Sequence, residues 1–428
     1  MKILLLDIPA GRYFIKDFAN GYGVSFNKRG NALRKVATAV FTKVNLPLIA
    51  LVTLAGIFKS KGYDVAYSRK ISKAEKADLI IIHPTVKTYK KEIHLIKSIR
   101  RKSPLTKIGL VGPMASFLPE LFANYVDFII RGEPEEIAMK ISDSFIPSGI
   151  VISKPLRNLD KLPFPYWKIF PIEEYSYKPR ILAKPILPIL TSRGCSSRCN
   201  YCPYIIFRNK WRANSAKYVL EEIKHFVEEY KIKGLIFRDP LLTYDRKRIL
   251  KICDGLASNF KLELFCETKL DLLDKELVDS LCNAGLKVLN VGIESINARL
   301  LNKLGRKTES ISYQKKIIRY CQSKGVNVNG LYMIGIHNDT KESILRTIEL
   351  SKNLTDSFHF SVNTPYPGTF FYNCIKNKVY RDFDKFDGQT PVFKHSKLSE
   401  KEIIRLMARA NHLSVGYLLK KLINKLKP

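Results

Sequence analysis

Short apolar runs of strand type alternate with helix-type segments along almost the whole chain, and that alternation leaves few folds open. Lys2–Asp7, Tyr63–Tyr67, Asp78–Ile82, Lys107–Val111 and Phe128–Ile130 read as strands. Leu48–Lys61 and Lys90–Arg101 carry helical spacing, and Gly62 is placed to close the first of them as a C-cap. Leu79-Ile80-Ile81-Ile82 has no polar interruption, as a strand buried on both faces requires. Strands separated by helices imply βαβ units and a parallel, doubly wound α/β sheet over residues 1–150. Ligands of such sheets sit beyond the carboxyl ends of the strands. Those ends carry Pro9-Ala10-Gly11, His83-Pro84-Thr85, Gly112-Pro113 and Arg131-Gly132-Glu133.

Residues 151–186 break the pattern. Proline and aromatics dominate, with Pro163-Phe164-Pro165-Tyr166-Trp167 at the centre, a composition suited to a linker packed across a domain junction. A second α/β series follows over residues 187–385. Its expected strands are Pro188–Thr191, Gly234–Arg238, Leu262–Glu267, Val288–Gly292, Val326–Met333 and Phe358–Val362. Its helices include Ala216–Tyr230, Arg246–Ala257, Lys275–Ala284 and Lys341–Leu354. Six strand–helix repeats predict a partial (β/α)6 barrel with its site at the C-terminal strand ends. Residues 386–428 form a helical extension that ends in the basic, amphipathic stretch from Tyr417 to Lys427.

The chemistry concentrates in one loop, just after the first strand of that second series. Of eight cysteines only Cys195, Cys199 and Cys202 cluster, in Gly194-Cys195-Ser196-Ser197-Arg198-Cys199-Asn200-Tyr201-Cys202-Pro203. Three thiolates in one tight loop can ligate three irons of a cubane cluster. No fourth cysteine follows nearby, so one iron would stay open to a small molecule, the condition for catalysis at a metal. A zinc site of three cysteines and a histidine would need His225, which falls inside a predicted helix.

Charge and compartment bound the partners. Lys plus Arg is 73 and Asp plus Glu is 39, a formal net charge of +34. Such a balance suits nucleic acid, an anionic membrane surface or an anionic substrate, yet the cations are scattered rather than gathered into a tail, as on solvated faces. With 46% hydrophobic and 26% charged residues the chain is a globular rather than a disordered one. The N-terminus has no cleavage-site pattern, and the longest apolar run, Leu46 to Phe58, is shorter than the roughly 20 residues of a membrane span. A reducing, cytoplasmic setting is expected.

The CxxxCxxC loop, its position and the repeats after it resemble the radical S-adenosylmethionine (radical SAM) superfamily. The resemblance implies a 4Fe-4S cluster on Cys195, Cys199 and Cys202. S-adenosylmethionine would chelate the open iron and be cleaved reductively to a 5′-deoxyadenosyl radical, with electrons from a flavodoxin- or ferredoxin-type donor. Tyr201 matches the aromatic residue that touches the adenine. Val291-Gly292-Ile293-Glu294-Ser295 resembles the strand motif bordering the methionine amino group. Glu267 and Lys269 resemble a strand-end pair facing ribose and carboxylate, and Arg306 matches a basic residue facing the carboxylate. Thr364-Pro365-Tyr366-Pro367-Gly368-Thr369 resembles the loop that ends the last barrel strand.

A Rossmann-like domain ahead of such a barrel resembles the cobalamin-binding branch of the superfamily. The segments carrying this likeness are Asn45 to Leu51, Leu110-Val111-Gly112-Pro113, Ile130-Arg131-Gly132-Glu133-Pro134-Glu135, Trp211-Arg212 and Phe237-Arg238-Asp239-Pro240. It implies cobalamin near Gly112, Pro113 and Gly132. The Asp-x-His-x-x-Gly motif that gives cobalt a histidine in many cobalamin enzymes is missing, and His83 and His94 lie in other contexts. Gly335-Ile336-His337-Asn338-Asp339 also departs from relatives that place Pro-Gly there. The activity implied is methyl transfer to an unactivated carbon or phosphorus of a biosynthetic intermediate. Radical rearrangement, cyclisation or methylthiolation with a vestigial first domain is the alternative. The substrate would be a small molecule or lipid rather than nucleic acid, and the basic C-terminal stretch would suit either an anionic membrane surface or packing on the barrel.

Overall fold

A computed structural model describes residues 1–11, 13–25, 43–70, 76–178, 180–205, 207 and 210–411. Its first sheet has six parallel strands: β1 (Lys2–Leu6), β2 (Asp64–Ser68), β3 (Leu79–Ile82), β4 (Lys107–Leu110), β5 (Phe128–Arg131) and β6 (Gly149–Ile152). They lie in the order β2-β1-β3-β4-β5-β6. Helices α1 (Ile49–Ser60), α2 (Tyr89–Lys102), α3 (Pro113–Phe117) and α4 (Glu135–Lys140) connect them. All four residues of β3 are buried, as a central strand covered on both faces must be. On α2, Tyr89, Glu92, Ile96 and Ile99 repeat at three- and four-residue intervals and face inward, while Arg100, Arg101 and Lys102 gather in its last turn. The strand order reverses between β1 and β3, so the loops after Leu6 and Ile82 flank the crevice where ligands of doubly wound sheets bind.

Strand β6 has no counterpart among the strands read from sequence, and it crosses the junction expected at residue 150. It is a short edge strand with Ile150 and Ile152 exposed, so it lacks the buried-strand pattern. The Pro- and aromatic-rich segment also holds a strand, Ser176–Lys178, antiparallel to Lys43–Asn45. Otherwise it is turns fastened by Trp167, which is 1% exposed and packs edge-on to Phe170, Tyr175 and Phe226.

The second sheet is also six-stranded and parallel, in sequential order: β7 (Ile186–Ile189), β8 (Gly234–Phe237), β9 (Glu263–Thr268), β10 (Leu286–Glu294), β11 (Asn327–Ile334) and β12 (Ser357–Val362). Strands β7 and β12 are its open edges, giving the partial barrel expected. Its helices are α5 (Ala216–Tyr230), α6 (Arg246–Asn259), α7 (Lys275–Asn283), α8 (Ala298–Lys303), α9 (Ile311–Ser323) and α10 (Lys341–Leu354). Each begins on a side chain that accepts a hydrogen bond from the first turn: Ser215, Asp245, Asp274, Asn297, Ser310 and Thr340. These caps aim each crossover helix back along the sheet and leave the strand ends to the site. Residues 400–411 are helical; the basic stretch from Tyr417 to Lys427 lies outside the described residues. Among the described residues no helix is long and apolar enough to cross a membrane.

Candidate active site

The cysteine loop leaves β7 and is pinned at both ends. Ser192–Arg193 pairs antiparallel with Arg212–Ala213, so residues 194–211 form a closed excursion. Asp239, fully buried after β8, accepts hydrogen bonds from Thr191 N (3.2 Å), Thr191 Oγ1 (2.7 Å) and Ser192 Oγ (2.5 Å). Gly194 then turns the chain at φ +77°, a conformation that favours glycine. Further along, Asn200 N donates to Leu304 O (2.9 Å) and Phe371 N donates to Asn200 O (3.0 Å). Gly305, at φ +75°, lets the chain pass directly against the Arg198 carbonyl, where a Cβ would collide.

Cys199 is buried, and Cys195 and Cys202 are half-buried. Burial pushes the Cys199 and Cys202 thiols up, opposed by Arg306 in the case of Cys199, and the neighbouring thiols push the same way: Cys195 on Cys199, and Cys199 and Cys195 on Cys202. No group of three His, Cys, Asp or Glu among the described residues converges as ligands of a single ion. A cubane spreads its ligands over separate irons, and three thiols with no carboxylate or imidazole among them are the donor set of an iron–sulfur cluster.

Under the loop, β10 ends in a bulge between Gly292 and Glu294, and Glu294 sits at φ +65°. A non-glycine residue held there stores strain of a kind found at functional sites. Burial raises the Glu294 carboxyl, opposed by Arg306 at 3.8 Å. Arg306, 8% exposed, donates through Nη2 to Gly292 O, while its Nε has no partner. Tyr201 is 9% exposed with its hydroxyl also unpartnered.

Tyr201, Cys202, Glu267 and Glu294 open onto one cavity of about 1100 Å³ inside the barrel. A polar row crosses its sheet wall: Asn290 Nδ2 donates to Glu267 Oε1, Asn329 Nδ2 to Asn290 Oδ1, and Ser357 Oγ to Asn329 Oδ1, each at 2.9 Å. Lys269 is not part of this wall. Strand β9 ends at Thr268, so Lys269 turns away with the chain and pairs with Asp271 at 2.7 Å instead of joining Glu267 over the cavity.

Gly112, Pro113 and Gly132 line a second cavity, of about 130 Å³, between the first sheet's strand ends and the cysteine loop. His83 lines it too; it is a strand-end residue and only 3% exposed, whereas His94 is exposed on α2. Burial and then Lys16 depress His83 to about 4. Ion pairs tie the domains together across this cavity: Arg193 to Glu135 (2.7 Å) and Arg212 to Glu133 (2.5 Å). Tyr204 and Arg238 border both cavities. Arg238 is 4% exposed, reaches Asp17 at 3.3 Å and Glu267 at 3.5 Å, and covers the Phe18 ring. Sequence reading quoted Arg238 within a likeness but gave it no place in the site; its position at the end of β8 was the available signal.

A family model described as the radical SAM superfamily matches residues 189–351. The chain carries a radical SAM domain. An uncharacterized methyltransferase of Pyrococcus horikoshii is 25% identical over 80% of this chain and 79% of its own length. The anaerobic magnesium-protoporphyrin IX monomethyl ester cyclase of Rubrivivax gelatinosus is 24% identical over 84% and 72%. Among solved structures, the radical S-adenosylmethionine methyltransferase TsrM of Kitasatospora setae, with cobalamin and a [4Fe-4S] cluster bound, superposes with a TM-score of 0.64. That likeness covers 88% of this chain and 74% of TsrM at 14% identity, and it bears out the expected fold: a Rossmann-like sheet, then a radical SAM partial barrel. Residues 189–351 thus form a radical SAM domain, and such a domain works with a 4Fe-4S cluster and S-adenosylmethionine.

Proposed function

We propose that the protein is a cobalamin-dependent radical SAM methyltransferase acting on an unactivated carbon or phosphorus of a small molecule. The observation that carries the reading is the position of the cysteine loop. One side opens on the barrel cavity and the other abuts the strand ends of the first domain, so cluster, substrate and a second cofactor can meet. The relative and the structural neighbour that are methyltransferases support it.

In this reading Cys195, Cys199 and Cys202 hold the cluster, and the domains 1–150 and 187–385 each supply one face of the junction, joined by 151–186. The cluster with S-adenosylmethionine supplies radical-generating reductive cleavage, and cobalamin supplies a methyl carrier. Tyr201 gives the adenine an aromatic wall, and its unpartnered hydroxyl and the Arg306 Nε are buried groups waiting for a ligand. Glu294, held in its strained conformation beside Arg306, accepts the amino group, and Arg306 faces the carboxylate. Glu267, oriented by Asn290, accepts from ribose hydroxyls. Gly112, Pro113 and Gly132 would border the corrinoid from the strand ends of the first sheet, facing the cysteine loop across the second cavity. A cavity of 1100 Å³ exceeds the roughly 300–1,000 Å³ of a site for one drug-sized ligand, so it has room for S-adenosylmethionine and a sizeable substrate together.

The test is metal content after anaerobic reconstitution with cobalamin supplied, beside a Cys199→Ala control. The expected result is about four irons and one cobalt per chain, with iron lost in the control. Iron without cobalt overturns the cobalamin part, and iron retained in the control overturns the ligand assignment. A second reading, radical cyclisation, is favoured by the cyclase among the relatives. Methyl-labelled S-adenosylmethionine separates the two, because only the methyltransferase puts the label into product.

A further inference from the structure

We propose that the barrel cavity takes an elongated anionic amphiphile, lying along the strands with its apolar end toward the cysteine loop and its anionic end at the opposite mouth. The inference rests on the reading of this cavity as the substrate site and names the substrate class.

The cavity is long. Its lining includes Glu263, Asn327 and Ser357, the first residues of β9, β11 and β12, and also Met333, Val362 and Thr364 at or beyond the other ends. Asn327 and Met333 lie on one strand, roughly 20 Å apart at about 3.3 Å per residue. A round cavity of 1100 Å³ is too short to join those two ends. Closed barrels fill this space with side chains and keep only the C-terminal end for ligands. Here the row of β12 that lines the cavity is Ser357, His359 and Ser361, all half-buried, and two of the three are small. The lining from the first domain is apolar. Ile15 and Val24, paired across a short antiparallel hairpin, stand there with Phe18 and Val44.

The mouth at the N-terminal strand ends differs. The linker crosses it, tied by a hydrogen bond from Ala183 N to Glu263 Oε2 (3.3 Å). Leu182, 66% exposed, forms an apolar lip. Lys178, Arg180 and Lys287 also line the cavity here, and Lys43 stands opposite Lys178 in the antiparallel pair. Lys178 and Lys287 are exposed, and neither forms an ion pair among the described residues. The carboxylates at this end are already engaged by donors: Glu263 by Ala183 N, and Asp356 by Val328 N (2.9 Å) and Gln322 Nε2 (3.0 Å). An exposed leucine beside unpaired cations matches a molecule whose apolar chain enters the barrel while its anionic head stays at the wet rim.

The probe is dodecyl phosphate, titrated below its micelle concentration onto the cluster-loaded full chain with S-adenosylmethionine present, beside dodecanol and inorganic phosphate. Dodecyl phosphate should bind about tenfold tighter than dodecanol, because exposed cations contribute about two- to threefold each, and salt should shrink the margin. Inorganic phosphate should not bind measurably. Lys178→Gln combined with Lys287→Gln should remove most of the margin and leave dodecanol binding alone. Leu331→Trp, in the middle of β11 on the cavity wall, should exclude both chains while iron and S-adenosylmethionine binding persist. A nitroxide on the chain end should be relaxed by the reduced cluster, and one beside the phosphate should not. Equal binding of dodecanol, or inorganic phosphate binding as tightly as the probe, overturns the anionic amphiphile. Unchanged binding in an iron-loaded Leu331→Trp overturns its place in the barrel, and the reverse nitroxide pattern overturns its direction. If Leu331→Trp loses its iron, the lysine pair and the nitroxides decide. None of these readouts involves cobalt: a chain that binds the probe without cobalamin loses only the methyltransferase reading, and one that binds cobalamin without the probe loses only this one.

Discussion

Gly305→Ala should strip the cluster from a chain that still folds, and Gly325→Ala is the control that shows why. Both glycines sit in the left-handed region, at φ +75° and +77°. An alanine at either costs about 1–2 kcal/mol in backbone strain. They differ in what a Cβ meets. At Gly325 nothing lies within 4 Å. At Gly305 the Cβ would collide with the Arg198 carbonyl oxygen and lie 3.1 Å from its carbon, and both atoms are backbone. Carbon atoms settle about 3.5–4.0 Å apart, so the cysteine loop would have to move by roughly 1 Å. The bond from Asn200 N to Leu304 O, now 2.9 Å, would then leave hydrogen-bond range. Losing it adds about 1–3 kcal/mol, for a total near 2–5 kcal/mol against about 1–2 kcal/mol in the control. More to the point, the loop that moves carries Cys199. Denaturant unfolding gives the two stabilities, and iron and sulfide analysis after reconstitution gives the cluster. Equal iron in the two variants would refute the idea that Gly305 seats the cysteine loop, whatever the stabilities.

Two further outcomes follow from buried groups. Burial, against Lys16, raises Glu92 from 4.5 to about 7 in the folded chain. A carboxyl so raised stabilises the fold fully below pH 4.5 and loses that contribution as pH climbs through 7. The stability of wild type relative to Glu92→Gln should therefore fall by about 3 kcal/mol between those limits, measured by urea unfolding across the range. A difference that rises with pH would reverse the assignment. The Tyr201 hydroxyl has no partner in its buried position, so Tyr201→Phe should leave stability unchanged or improve it by about 1–2 kcal/mol. If the ring is the adenine wall, S-adenosylmethionine affinity should hold in Tyr201→Phe and drop in Tyr201→Ala, as read by equilibrium binding.

What sequence made legible and what it concealed divide along a physical line. Where local pattern and long-range structure coincide, reading works. The ends of α5 and α10 fall where their periodicity starts and stops, because Ser215 and Thr340 cap them and apolar stripes bury them. The three cysteines are close in space because they are close in sequence. Strand β6 escaped because an edge strand with exposed side chains has neither alternation nor a buried run to betray it. Lys269 was misplaced because two residues apart in a strand share a face only while the strand lasts, and β9 stops one residue too soon.

The junction between the domains was the least legible part, for a further reason. Arg238 meets Asp17 across more than two hundred residues, and His83 meets Gly21 and Gly112 through the strand order alone. Arg238 and Gly112 lie in segments that carry a family likeness, but the likeness does not say what they touch; His83 reads only as a strand-end residue, and a glycine packed against a neighbour's ring looks like any turn glycine. Yet the junction is where the two halves of the chemistry must meet. Arg193, two residues before Cys195, is ion-paired to Glu135 on α4, and Tyr204, two residues after Cys202, borders both cavities. Asn20 Nδ2 also donates to Pro203 O (3.2 Å), so the cysteine loop is tied to the first domain at both its ends, and a shift of that domain would move the loop with it. The same rigidity that hides the arrangement from sequence is what would hold a corrinoid and a cluster at a fixed separation across the substrate.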